Sequence, residues 1–179
     1  MTRRSRAVAS IALLAIAASL VAGWLLLRSG SREGPLAANA NQIDVEWDLA
    51  PGQTGTWGTL LPANPTSSDI SITSVEPTTV QGVEVVGVVL CDATATGGCV
   101  GTAMGFPPAS LQTSPVDGGV LPPSTGDHPS LMALVGVRRQ TDQPGSIRGL
   151  TLKYRAGGQD YQIALPDSLF LGAGDTPSP

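Results

Sequence analysis

Aromatic side chains are scarce in this sequence, and lysine and histidine are scarcer still. Only 4% of the 179 residues are aromatic, and Lys153 and His128 are the sole lysine and histidine. A hydrolytic triad needs a histidine that a partner side chain orients, whereas His128 lies in the turn-rich stretch STGDHPS. No GxSxG nucleophile motif is present, and glycosidase carboxylates usually lie among aromatic sugar platforms. We therefore expect no enzymatic activity and no cofactor.

Positive charge is missing from most of the chain beyond its first 32 residues. All fourteen acidic residues lie from Glu33 onward, where they face only five basic ones, so this body carries a charge near −9. Ten of the acidic residues fall between Glu33 and Asp127 without one basic residue among them. Such a body repels polyphosphate chains and offers no basic groove to hold them. We expect no nucleic-acid partner.

One long apolar run stands at the N-terminus. Residues 7–27 carry no charge, and as a helix they would extend about 31 Å, which matches the hydrocarbon core of a bilayer. Three arginines precede this run and two follow it, so the positive-inside rule places the N-terminus in the cytoplasm. We expect a cytoplasmic N-terminus over 1–6, a transmembrane signal anchor over 7–27 in the lipid bilayer, and an extracytoplasmic domain at the cell membrane.

A cleaved signal peptide is the alternative to this anchor. The triplet 38–40 (Ala-Asn-Ala) has the small-residue pattern of a cleavage site, and cleavage after Ala40 would make the domain a secreted one. However, the apolar run is longer than that of a typical signal peptide, and the triplet begins eleven residues beyond Leu27. Both features favour the uncleaved anchor, followed by a linker over 28–41.

The pattern beyond the linker is that of β-strands. In IDVEWDL, the apolar residues Ile43, Val45, Trp47 and Leu49 alternate with acidic ones, which is the period of a half-buried strand. AGGQ at 156–159 predicts a tight hairpin, because paired glycines accept the positive φ of primed turns. This hairpin predicts that the following DYQIAL returns as a strand.

Short strands separated by turn residues indicate one fold class. No segment beyond residue 27 shows a sustained helical period. We expect an all-β fold, an antiparallel immunoglobulin-like β-sandwich of about seven or eight strands over 42–171, followed by a disordered tail over 172–179. Besides the first strand, the predicted strands lie at 57–61, 69–75, 83–90, 131–137, 149–155 and 160–165.

The two cysteines, Cys91 and Cys99, lie together in CDATATGGC. A zinc site usually needs paired CxxC-type ligands, and a redox pair usually has the CxxC spacing. In an oxidising compartment two cysteines favour a disulfide, and the small residues between them allow the chain to reverse. We expect a disulfide here, with a metal site, a redox pair and free thiols as the alternatives.

Three carboxylates, Asp44, Glu46 and Asp48, form a row on one face of the predicted first strand. Several oxygen ligands of this kind suit Ca²⁺, but same-face neighbours on a strand stand nearly 7 Å apart. We expect a solvated face, or pairing with Lys153 and Arg155 across strands, and no metal. A cation site is the alternative.

Residues 93–130 form a long stretch that is rich in glycine and proline. Long ordered loops of this kind tend to be functional. Two stiff apolar segments within it suit either a protein partner or the covering of the open end of the sandwich. This candidate partner surface comprises Phe106, Pro107, Pro108, Leu121, Pro122 and Pro123.

Several segments together carry a family resemblance. They are the basic N-terminus with its apolar run, LPANPTSSDISITSVEP, GGVLPPSTGDHPSLMALVGV and GLTLKYRAGGQDYQIAL. With these segments the chain resembles membrane-anchored, immunoglobulin-like envelope proteins of high-GC Gram-positive bacteria, over most of 42–171. The resemblance implies a tethered sandwich, and it implies neither an activity nor functional residues.

These observations lead to two hypotheses on function. We expect a non-catalytic, membrane-tethered, extracytoplasmic β-sandwich that binds another envelope protein or stabilises a membrane assembly. The alternative is an extracytoplasmic carrier of a metal ion or small ligand, built on the acidic row or on methionine and histidine side chains.

Overall fold

The computed structural model describes residues 34–38, 42–94, 98–124 and 129–172. Within these ranges the chain forms ten β-strands in two five-stranded sheets and contains no α-helix. The predicted all-β sandwich is confirmed, with more strands than the seven or eight expected. The strands are β1 (Asp44–Trp47), β2 (Thr54–Leu60), β3 (Ile70–Gln81), β4 (Val83–Asp92), β5 (Thr102–Met104), β6 (Thr113–Pro115), β7 (Val120–Leu121), β8 (Leu131–Arg139), β9 (Gly145–Ala156) and β10 (Gln159–Leu171).

Several predictions fall outside the described residues. They are the cytoplasmic N-terminus, the anchor over 7–27, His128, and nearly all of the tail over 172–179. In the ranges that the structure describes, no helix has the length and apolar character needed to cross a membrane.

The two sheets have the strand orders β1-β10-β9-β3-β7 and β5-β2-β8-β4-β6, and we call them the first and the second sheet. All pairings between these strands are antiparallel except that of β1 with β10, which is parallel. The expected wholly antiparallel sandwich is therefore wrong at this pair. The path of the chain gives the reason. Gly34 lies beside Tyr154 and Tyr161 near the β9–β10 hairpin, so the chain then runs away from the hairpin in the same direction as β10.

The hydrophobic core lies between the two sheets. Trp57 on β2 and Tyr154 on β9 are its largest side chains, and each is 1% exposed. Removing a large apolar side chain from water contributes about 1.5–3 kcal/mol, so these two positions anchor the sheets to each other. The other large side chains that are fully buried are Leu49, Leu61, Ile70, Ile72, Leu90, Leu121, Leu134, Ile147, Leu150 and Leu152.

The alternation in the first strand is confirmed for three of its four apolar residues. Val45 and Trp47 pack against the core, and Leu49 is fully buried. The Trp47 ring lies on Gly55 of the second sheet, where a side chain would overlap it. Ile43 is instead 51% exposed and precedes β1, although its N–H and C=O bond to Asp167 and Ser168 of β10.

Residues 34–36 pack on the sandwich, although the sequence places them in the linker over 28–41. Leu36 is 5% exposed and belongs to the core, and its N–H donates to the Tyr154 hydroxyl at 3.4 Å. Burial raises the pKa of Tyr154, so the hydroxyl stays protonated up to higher pH than a free tyrosine. Gly34 lies against the same hydroxyl, where no side chain would fit. This part of the predicted linker therefore belongs to the folded domain.

Candidate interaction surface

One side of the sandwich has a backbone edge that no described strand covers. β4 pairs with β8, but on its other side β6 covers only residues 89–91. β3 pairs with β9, and on its other side β7 reaches only Ile70 and Ser71, with Ile72 bonded to the turn before β7. The uncovered lengths of β3 and β4 meet at Gly82. We call residues 73–88 the corner edge.

Gly82 makes this corner possible. Its φ of 66° lies in the left-handed region that glycine adopts without strain. The chain therefore leaves β3 in the first sheet and starts β4 in the second sheet within one residue. As a result, the free edges of both sheets lie side by side.

Valine side chains line the corner edge. Val80 is 43% exposed, and every residue from 83 to 89 is half-buried. β4 lies between β8 and β6, but β6 leaves half of its outer edge free. Val83, Val85 and Val88 pack against the core, so the apolar surface that the core cluster does not take up at this edge comes from Val80, Val86 and Val89.

The corner edge carries features that limit unselective pairing. Pro77 has no N–H, and β-bulges interrupt β3 between Ile72 and Ser74 and β4 between Val85 and Gly87. Glu84 adds a charge, although Arg138 pairs with it at 3.3 Å. These features reduce aggregation through the free edge, because an arbitrary strand cannot pair along its whole length.

The loop that follows Cys99 covers the outer face of the second sheet. The Phe106 ring lies over Gly87 and Gly136, which are directly paired on β4 and β8. The Thr56 hydroxyl donates to the Gly105 carbonyl at 2.5 Å and fixes the loop to β2. Because neither glycine has a side chain, the ring packs directly on the backbone of the second sheet, and we call this place the ring seat.

The six residues predicted as a partner surface separate in the structure. Leu121 is fully buried in the core and pairs with Ile70, Pro108 is buried, and Phe106 is half-buried on the second sheet. These three side chains are taken up by the domain, because the loop folds onto its own sheets. The exposed residues of the set are Pro107, Pro122 and Pro123.

The predicted disulfide between Cys91 and Cys99 is confirmed. The S–S distance is 2.10 Å and the Cα atoms are 6.1 Å apart. Cys91 is the buried penultimate residue of β4, so the bond ties the start of the covering loop to the second sheet.

Replacing both cysteines by alanine is expected to lower the free energy of unfolding by about 2.5 kcal/mol, because the bond removes loop-closure entropy from the unfolded chain. Urea unfolding of the full chain measures this change. Wild-type protein in a reductant should lose a similar amount, and equal midpoints for oxidised and reduced protein would contradict the prediction.

The acidic row does not pair with Lys153 and Arg155. β10 separates β1 from β9, so Asp44 lies beside Ser168 and Glu46 beside Phe170. The predicted cross-strand pairing is therefore wrong, since the parallel register places β1 next to the last strand and away from the basic residues.

The basic residues of β9 have other partners. Lys153 pairs with Glu76 at 2.8 Å, and Arg155 pairs with Asp160 at 2.8 Å. The Lys153 ammonium group holds the pKa of Glu76 below its usual value. Both pairs are largely exposed, so each contributes little to stability.

The carboxylates of the acidic row stay apart along an exposed edge strand. Asp48 is the one that approaches a base, with an oxygen 3.8 Å from Arg139 Nη1. In the described part of the chain, no three His, Cys, Asp or Glu side chains come close enough to hold a metal ion.

Asp167 is a buried carboxylate that the sequence does not reveal. It is 4% exposed, accepts the Ile43 N–H at 3.0 Å, and accepts the Thr59 hydroxyl. It thereby joins the chain before β1, strand β10 and strand β2 of the opposite sheet. The alternation of apolar and polar residues does not mark Asp167 as buried, because a β-bulge between Leu165 and Ser168 interrupts the alternation along β10 at this point.

Arg139 is the second buried charge that the sequence does not reveal. Its Nη1 donates to the Leu49 carbonyl at 2.8 Å and its Nη2 to the Asp142 carbonyl at 2.7 Å, while its Nε has no partner. These bonds join the β1–β2 and β8–β9 turns at the end of the sandwich near Gly82. The adjacent Arg138 points outward, so only the alternation along β8 distinguishes the two.

No protein-family model matches this chain, and no curated protein matches it either. The functional inference therefore depends on the fold and on the surfaces described above.

Proposed function

We propose that this protein is a non-catalytic binding module, tethered to the cell membrane by residues 7–27, whose extracytoplasmic sandwich holds another envelope protein at the corner edge. The observation that carries the proposal is the uncovered backbone of residues 73–88, together with the exposed Val80 and the half-buried Val86. The pairing of the first and last strands supports an immunoglobulin-like architecture for the sandwich.

The corner edge suits binding by strand addition. An uncovered strand presents free N–H and C=O groups, which an extended segment of a partner can satisfy. Val80 on β3 and Val86 on β4 then provide apolar contacts beside the added segment. Pairing with β4 beyond residue 88 is blocked by β6, so the length of the site is limited to about six residues of β4.

Charge favours a different protein over a second copy at this edge. Each copy carries about −9 beyond residue 32, so two copies repel each other. Near the edge, the Glu84 carboxylate is already matched by Arg138 and the Glu76 carboxylate by Lys153. A neutral or basic extended segment therefore meets little electrostatic cost.

Two observations support the tether and the compartment. The uncharged run at 7–27 has the length of a membrane span, and the arginine balance favours a cytoplasmic N-terminus. The Cys91–Cys99 disulfide is typical of oxidising compartments outside the cytoplasm.

Val80→Lys is expected to weaken partner binding about tenfold, because a charge on a free edge opposes strand addition. Val120 offers a matched control, since it is 47% exposed against 43% for Val80 and its β7 pairs with β3 at Ser71, outside the corner edge and nine residues before Val80. The full chain carries a photo-crosslinking residue at Gln81 or at Asp117, with Val80→Lys or Val120→Lys, and is irradiated in its native membranes.

The expected result is a heterologous adduct from Gln81 that Val80→Lys removes and Val120→Lys leaves intact, with no adduct from Asp117. An adduct with twice the mass of the chain would show that the partner at the corner edge is a second copy of this protein. Equal crosslinking at both positions, or none at Gln81, would contradict the proposed site. Turnover of a defined substrate by the purified chain would contradict the non-catalytic assignment.

A further inference from the structure

The segment that enters the sandwich is held by three separate contacts. Leu36 is 5% exposed within the core. Its N–H donates to the Tyr154 hydroxyl at 3.4 Å, so it gives this buried phenol oxygen a partner. Gly34 lies against the rings of Tyr154 and Tyr161, which stack with centroids 5.5 Å apart. We call residues 34–36 the entry strap.

The entry strap closes one end of the sandwich. Tyr154 and Tyr161 are directly paired close to the β9–β10 hairpin, and both point toward the core. Without Leu36, the edge of both rings and the core beneath them would meet water. The loss corresponds to the removal of a buried leucine together with a hydrogen bond to a buried hydroxyl.

The triplet 38–40 lies just after the entry strap, so its use as a cleavage site has a structural consequence. Cleavage after Ala40 would release Leu36 with the N-terminal part and leave the sandwich open at this end. Cleavage at any point before Gly34 would leave the strap in place.

We propose that the entry strap is a permanent part of the mature domain and that the protein is not processed after Ala40. The entry strap packs on Tyr154 and Tyr161 at this end of the sandwich. If it is retained, the folded domain starts at residue 34 and not at residue 42. This inference deepens the proposed function and rests on its tether, since an anchor at 7–27 also requires an intact bond after Ala40, but it does not depend on a partner at the corner edge.

The first test is the N-terminus of the full chain as expressed in its native host. Mass spectrometry of proteolytic fragments is expected to find peptides that cross the bond between Ala40 and Asn41, and no mature chain that begins at Asn41. Ala38→Phe blocks a small-residue cleavage site at an exposed position, and it should leave the mass and the location of the protein unchanged. A chain that begins at Asn41, or a released form that Ala38→Phe abolishes, would overturn the proposal.

The second test measures the strap itself in the full chain. Leu36→Ala is expected to lower the melting temperature by about 10 °C, whereas Ala37→Ser at the exposed neighbouring position should leave it nearly unchanged. Tyr154→Phe, which keeps the ring and removes the hydroxyl, should give a smaller decrease. Equal melting temperatures for Leu36→Ala and wild type would overturn the proposal.

The outcomes separate this inference from the proposed function. A chain cut within residues 28–33 would remove the tether but keep the strap. Loss of crosslinking at Gln81 with an unprocessed N-terminus would remove the binding site but keep the strap. Only the bond after Ala40 and the contribution of Leu36 decide the inference itself.

Discussion

Asp167→Ala is expected to lower the free energy of unfolding by about 3 kcal/mol, and Asp167→Asn by less than half as much. Alanine leaves the buried Thr59 hydroxyl and the partly buried Ile43 N–H without their acceptor. Asparagine keeps one oxygen for the N–H, and its amide donates to the Thr59 oxygen instead. Denaturant unfolding of the full chain measures both changes.

A double-mutant cycle with Thr59→Val assigns this energy to the contact between the sheets. The Asp167→Ala and Thr59→Val changes should couple by about 1 kcal/mol, because each removes the partner of the other. Asp117→Ala provides the control, since this carboxylate is exposed and should change stability by less than about 0.5 kcal/mol. Additive effects of the pair would show that the two groups do not act together.

Gly136→Ala is expected to destabilise the domain by about 2–3 kcal/mol, although it adds a single methyl group. A Cβ at this position would overlap the Phe106 ring, which would have to leave its seat on the second sheet. Phe106→Ala alone should cost about 2 kcal/mol, since the ring is only half-buried.

The combination distinguishes a steric effect from a general loss of packing. Once Phe106 is alanine, the methyl group at position 136 has free space, so the double variant should be close in stability to Phe106→Ala alone. Gly101→Ala is the matched control, because nothing lies within 4 Å of its added Cβ and its φ is not in the left-handed region. A fully additive double variant would contradict the seat described for Phe106.

The period-two pattern predicted most of the long strands, because each of them has one face on the core. The inward positions Val45 and Trp47 of β1 and Leu49 just after it are confirmed, and so is the hairpin at 156–159, where Gly157 and Gly158 have φ of 56° and 77°. These features depend on local geometry, which the sequence encodes directly.

Strand order and the short strands were not predictable in this way. β5, β6 and β7 have only two or three residues each, which is too few for a period. The apolar run of β4 does not say whether its outer edge is covered, since that depends on how far β6 extends. The acidic row was matched with the wrong basic residues because the sequence does not show that β10 lies between β1 and β9.

The candidate site was the least predictable part. Phe106, Pro108 and Leu121 have the composition of a partner surface, but the glycines that receive the Phe106 ring lie on distant strands. The corner edge is defined by what its neighbours leave uncovered. Its sequence signal, the excess of valine at 83–89, becomes informative only after the strand order is known.

The parallel pairing of β1 with β10 also determines how the domain responds to mechanical load. A force applied between the N-terminal entry and the corner at Gly82 acts along the strands. The bonds from residues 44–47 to residues 168–171 are then loaded in shear, so they share the force and do not open one after another. Such shear-loaded pairing is the arrangement that the proposed tether and the proposed partner at the corner edge would require.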